Sequence, residues 1–160
     1  MNITRRLAIA MYQQLNRMAI GHLNDTDLGI VMDNMDELKK VAEQYSQLAS
    51  ELHRRLFEGV DLSRCEEYDR LVKEEDSDAV AEGYADIDAL VKKKVSVLAG
   101  LERREISVNI EKVDKKSFMK AIYKAQPDIH PLAFAVLAPM FEEEAKAEAD
   151  LAELDELLNL

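Results

Sequence analysis

The chain carries one cysteine, no tryptophan, three prolines and five glycines, and each scarcity closes off a class of protein. A lone Cys65 cannot form an internal disulfide, so no disulfide framework holds this fold together. It has no metal-ligand spacing either, and His22, His53 and His130 lie in three separate segments. The sequence therefore offers no metal site and no cofactor. Gly21, Gly29, Gly59, Gly83 and Gly100 are scattered, which rules out a glycine-rich phosphate loop. No run approaches the roughly 18–20 apolar residues that a membrane span needs. The apolar stretch at 7–11, preceded by Arg5 and Arg6, is broken by Gln13, Gln14, Asn16 and Arg17 with no cleavage site after it. The expectation is a soluble, cytoplasmic chain with no membrane contact.

What the chain does have is charge and periodicity. It is 48% hydrophobic and 33% charged, the second figure above the usual quarter and suited to long solvated helices. Leu28, Val31, Met35, Leu38, Ala42, Tyr45, Ala49, Leu52 and Leu56 alternate spacings of three and four, with no proline between Asp27 and Phe57. Such a stripe keeps facing one partner helix, as in a coiled-coil hairpin or bundle. At about 1.5 Å per residue that helix would run roughly 45 Å.

An earlier helix is expected from Asn2 or Ile3, and Asp25 or Thr26 is placed to cap the long one, with Gly59 ending it. A shorter helix follows over 63–73. The segment 74–78 then opens a second long helix carrying Val80, Tyr84, Ile87, Val91, Val95, Leu98 and Leu101. Reversal between two long helices makes an antiparallel hairpin the economical topology. Residues 105–112 change period to two, with Ile106, Val108 and Ile110 on one side, and read as a half-buried strand in need of a partner. For 118–123 a helix opened by Asp114 and Ser117 is favoured over a second strand. Pro131 suits a first helical position, and 132–141 is nearly continuous apolar sequence interrupted by Pro139.

The fold class expected is mainly α: an antiparallel long-helix hairpin, coiled-coil-like, with a small C-terminal α/β element. Its expected divisions are a helical hairpin or bundle at 1–104, a short strand plus helices packed on the hairpin end at 105–141, and an acidic tail at 142–160. Segments 15–23, the long helix through Leu56, the strand with its continuation at 106–113, and 131–140 together resemble a small family of phage- and prophage-encoded helical proteins. The resemblance implies a phage setting, near tail or morphogenesis genes, with virion association beside the host cytoplasm as a location. It supplies no catalytic residue, and the acidic tail departs from its pattern.

Net charge is −11, and 142–160 alone carries eight acids against one base, leaving −4 for the rest. That balance argues against a protein that binds nucleic acid by neutralising phosphates. The basic clusters Arg54-Arg55, Lys92-Lys93-Lys94 and Arg103-Arg104 have no interleaved aromatics for base stacking, and helix-end complementarity accounts for part of them. Carboxylates are plentiful on helical faces but form no dry cleft in sequence, and no nucleophile stands beside a base. No catalytic residue and no small-molecule substrate are expected. Leu151, Leu154 and Leu158, on an acidic amphipathic segment, are the expected partner-binding residues. The function expected is non-catalytic protein–protein interaction or assembly, with self-association included. The alternative is an acidic regulator that occupies a basic, nucleic-acid-binding surface of another protein.

Overall fold

A computed structural model describes residues 1–142. The described chain is mainly helical, with one small antiparallel sheet. Strand β1 (Asn2–Thr4) leads into α1 (Arg5–Asn16), α2 (Asp25–Leu56), α3 (Leu62–Lys73), α4 (Ser77–Gly83) and α5 (Ala85–Arg103). Strand β2 (Glu105–Ser107), α6 (Lys115–Ala125), α7 (Leu132–Ala135) and a 3-10 turn (Ala138–Met140) complete it. The chain divides into two compact units: Met1–Ala42 with the chain from Glu105, and Glu43–Arg104. The first 42 residues thus group with the C-terminal part, unlike the division at residue 104 read from the sequence. The expected partner-binding residues Leu151, Leu154 and Leu158 lie outside the described residues.

In the first unit the opening residues form a strand where a helix start was expected. Thr4 is the cap, its hydroxyl accepting from Leu7 N–H at 3.1 Å, so α1 begins one residue later at Arg5. Ahead of it β1 pairs antiparallel with β2, Ile3 opposite Ile106. Here is the partner that the alternating strand required. Regular pairing stops at Ser107, yet Val108, Asn109, Glu111 and Val113 still find partners. Val108 N–H donates to Met1 O at 2.9 Å, and Asn109 N–H to Glu37 Oε1 at 3.3 Å. Glu111 N–H donates to Asn34 Oδ1 at 3.0 Å while Asn34 Nδ2 donates to Glu111 O at 2.8 Å. Val113 then bridges in parallel to Phe141. One extended segment is held by a strand, two helix side chains and a C-terminal turn. Pairing with a second chain is not needed to complete it.

Asn34 is buried on α2 between Val31 and Leu38, on the face turned to the core. Gln126 makes a similar two-way clamp on the loop after α1, accepting from Ala19 N–H at 2.8 Å and donating to Arg17 O at 3.0 Å. Around these clamps Ala8, Met11, Leu15, Val31, Leu38, Phe118, Ile122, Phe134, Leu137 and Met140 are buried in one cluster. Phe118 meets Phe134 edge-on at 6.1 Å and Phe141 at 5.4 Å. Of the apolar run at 132–141, Phe134, Leu137, Met140 and Phe141 are core while Leu132 stays exposed; the helix is cut short and Pro139 is accommodated in the 3-10 turn. Asn24, rather than Asp25 or Thr26, caps α2: its Oδ1 accepts from Asp27 N–H at 2.8 Å. Asp114 caps α6 as expected, accepting from Ser117 N–H at 2.9 Å.

The second unit holds the last part of α2 with α3, α4 and α5. Gly59 takes a left-handed backbone (φ 78°) in the turn after α2, a conformation that costs other residues energy. Asp61 caps α3 through Ser63, and Asp76 caps α4 through Ala79. The second long helix of the sequence reading is interrupted at Tyr84, whose backbone (φ −133°, ψ 20°) separates α4 from α5. Among the described residues no helix is long and apolar enough to cross a membrane.

Candidate interaction surface

The apolar stripe of α2 changes character along its length. Val31 and Leu38 are fully buried, whereas Tyr45, Ala49, Leu52 and Leu56, in the second unit, are only half-buried. Leu48 beside them is exposed. On α5 the stripe residues Val91, Leu98 and Leu101 are half-buried, Ile87 alone is buried, and Val95 is 63% exposed. On α3, Tyr68 and Leu71 are buried, but Val72 stays 49% exposed and Leu62 71%. Tyr68, Leu71 and Ile87 are the buried hydrophobics of this unit. A helix pattern reports which face is apolar and says nothing of how completely it is covered.

Polar contacts hold the helices of this unit together. Tyr45 Oη donates to Glu102 Oε1 at 2.7 Å. Lys94 Nζ lies 3.1 Å from His53 Nδ1, and since an ammonium only donates, that ring nitrogen accepts. His53 also stacks on Phe57 at 4.5 Å. Tyr68 Oη donates to Asp88 at 2.9 Å; burial and then this bond push the phenol above its ordinary value. Lys92 and Tyr68 together hold the Asp88 carboxyl below the usual carboxylate range. Arg64 forks onto both oxygens of Asp86 at 2.9 and 3.0 Å, reaches Gly83 O at 3.0 Å, and lies over the Tyr84 ring. One guanidinium thereby fixes the joint between α4 and α5, and it holds Asp86 below its ordinary value.

Arg54 and Arg55, a basic pair that drew attention in the sequence, and Arg70 on α3 are already engaged. Arg54 and Arg55 both bind Glu51, whose carboxyl they hold down to about 2. Arg70 is shared between Glu67 and Glu74. These exposed pairs contribute little stability individually, but they reduce the positive potential open to a phosphate backbone.

Among the described residues, two clefts of this unit stand out. One of about 590 Å³ is lined by Leu71, Val72, Val80, Ala81, Asp88 and Lys92 among others. Another of about 380 Å³ includes His53, Phe57, Cys65, Tyr68, Lys94 and Val95 in its lining. The sequence kept Cys65, His53 and Lys94 apart; the fold brings them to one cleft, with the imidazole Nδ1 engaged by the lysine. Of the other histidines, His130 Nδ1 accepts from Leu132 N–H at 3.1 Å, and His22 lines a cleft of the first unit with Lys120 and Lys124. That grouping joins residues about a hundred positions apart, so no local spacing could have announced it. Among the described residues no group of three or more His, Cys, Asp or Glu is placed to hold a metal ion. No family model, no curated protein and no solved structure matches this chain.

Proposed function

We propose that this is a non-catalytic protein–protein interaction or assembly protein, and that α2 and α5 form an antiparallel, coiled-coil-like hairpin whose uncovered apolar face receives the partner. The observation that carries the reading is the incomplete burial of apolar side chains in Glu43–Arg104, where the stripe is mostly half-buried and Val95 on α5, with Leu48 on α2 and Val72 on α3, stays exposed. Covering apolar surface gains roughly 25 cal/mol per Å². A face of about 800 Å² would match one side of a standard interface. The hairpin is supported by the bonds Tyr45–Glu102 and His53–Lys94, in which eight residues forward along α2 correspond to eight backward along α5. A phage or prophage origin, with a role in tail or virion morphogenesis and a cytoplasmic or virion-associated location, follows from the sequence resemblance alone.

A second copy is the partner that can be tested with nothing added. Light scattering on a sizing column, at low and at high salt, should give an oligomer whose mass does not fall as salt rises, because apolar contacts are not screened. A monomer at both salts would count against self-association. The charge of 142–160 favours a second reading, the acidic regulator that occupies a basic, nucleic-acid-binding surface. A complex of that kind would weaken steeply between low and moderate salt.

A further inference from the structure

In the first unit, His22 and Leu23 from the loop before α2 face Ser117, Lys120, Ala121 and Lys124 of α6 across a cleft of about 190 Å³. Ser117, Lys120 and Lys124 fall at positions i, i+3 and i+7, so one face of α6 lines the concavity with a serine and two exposed lysines. Neither lysine is within ion-pair distance of an acid among the described residues. Among the described residues one carboxylate borders the cleft, that of Asp27, and its Oδ2 already accepts from Asn24 Nδ2 at 2.9 Å. The Asp27 N–H is taken by the Asn24 cap, so that donor of α2 is not open to a ligand. Leu23 and Ala121, both buried, line it as well.

We infer that this cleft binds a phosphoryl group, free or as a small phosphomonoester. The donor set decides the class. Planar carboxylates are best matched by the guanidinium fork, and no arginine lines this cleft. Two ammonium groups, a hydroxyl and an imidazole instead suit a compact anion with several acceptor oxygens. Size narrows it further: pockets for drug-sized molecules run from about 300 Å³ upward, so this one takes a phosphate and little more. A chain of net charge −11 repels anions at long range. Local convergence of cations must overcome that repulsion, which predicts modest affinity that falls with salt.

The test is an NMR titration of the full chain at constant ionic strength with inorganic phosphate, with glycerol phosphate, and with chloride as control. Amides of Leu23, Ser117 and Lys120 should shift saturably with both phosphates. The Lys120→Gln/Lys124→Gln variant should bind at least tenfold more weakly. The charge-matched variant Lys93→Gln/Arg103→Gln, in the other unit, should bind within about twofold of wild type. Equal affinity for the two phosphates would assign the site to the anion alone; tighter glycerol phosphate would place its carbon chain against Leu23 and Ala121. Shifts that never saturate, or an equal loss in both double variants, would overturn the proposal.

Discussion

Asn34 occupies a position on α2 where a hydrophobe would be expected, and its amide takes the place of a neighbouring strand for Glu111. Two backbone groups depend on that one side chain. Asn34→Ala should therefore destabilise the protein by about 1–2 kcal/mol in urea denaturation, the cost of losing two part-buried hydrogen bonds. Asn34→Leu should do no better, because hydrophobicity cannot satisfy the Glu111 peptide. A loss well under 1 kcal/mol would show that water replaces the amide. Glu51 makes a prediction of a different kind. Its folded pKa, about 2, lies below the ordinary 4.5. The contribution is accordingly present above pH 4.5 and lost as pH falls toward 2. An NMR titration of its side-chain carboxyl should give a midpoint near 2, returning toward 4.5 in Arg54→Ala/Arg55→Ala. The importance of Asn34 was not legible in the sequence, since a lone asparagine in a helix reads as an ordinary polar residue until the chain 77 positions later is seen beside it.

At the scale of elements, heptad spacing located α2 closely, and the period-two run located the strand. Spacing could not tell that coverage differs along one helix. Leu38 is fully buried in the first unit's core, while Leu52 is half-buried in the second unit. Leu38→Asp should unfold the first unit at a cost of about 4 kcal/mol or more, since the charge has no partner there. Leu52→Asp should cost under about 2 kcal/mol in the isolated chain. Thermal melts followed by circular dichroism would separate the two, and equal losses would mean that the seam is as closed as the core. The break at Tyr84 was also hidden, because Val80 and Tyr84 fit the stripe perfectly well. Across the break Arg64 reaches Gly83 and Asp86, a long-range contact that no local spacing announces. Arg64→Lys keeps the charge and loses the fork. Hydrogen exchange should quicken at the start of α5 in that variant and stay unchanged in α6.

On the scale of the whole molecule, the sequence read correctly as mainly helical with a small sheet element, since periodicity and caps are local. It did not reveal that β1 pairs with β2 across about a hundred residues, because three residues of alternating pattern are too few to stand out from a helix start. That pairing removes the unpaired strand as a reason for self-association, and the proposed partner-binding face rests on the exposed apolar side chains alone. The contrast between the units is the core of the account. The first buries a cluster of large side chains; the second buries Tyr68, Leu71 and Ile87 and leaves Leu48, Leu62, Val72, Val95 and Val97 exposed. The measurement that tests this most directly is native-state hydrogen exchange at low and high protein concentration. Amides at 45–56 and 87–101 should exchange faster than those of α1 and α6 when dilute, and gain protection as concentration rises, while α1 and α6 stay unchanged. Protection that is uniform across both units and independent of concentration would contradict the account.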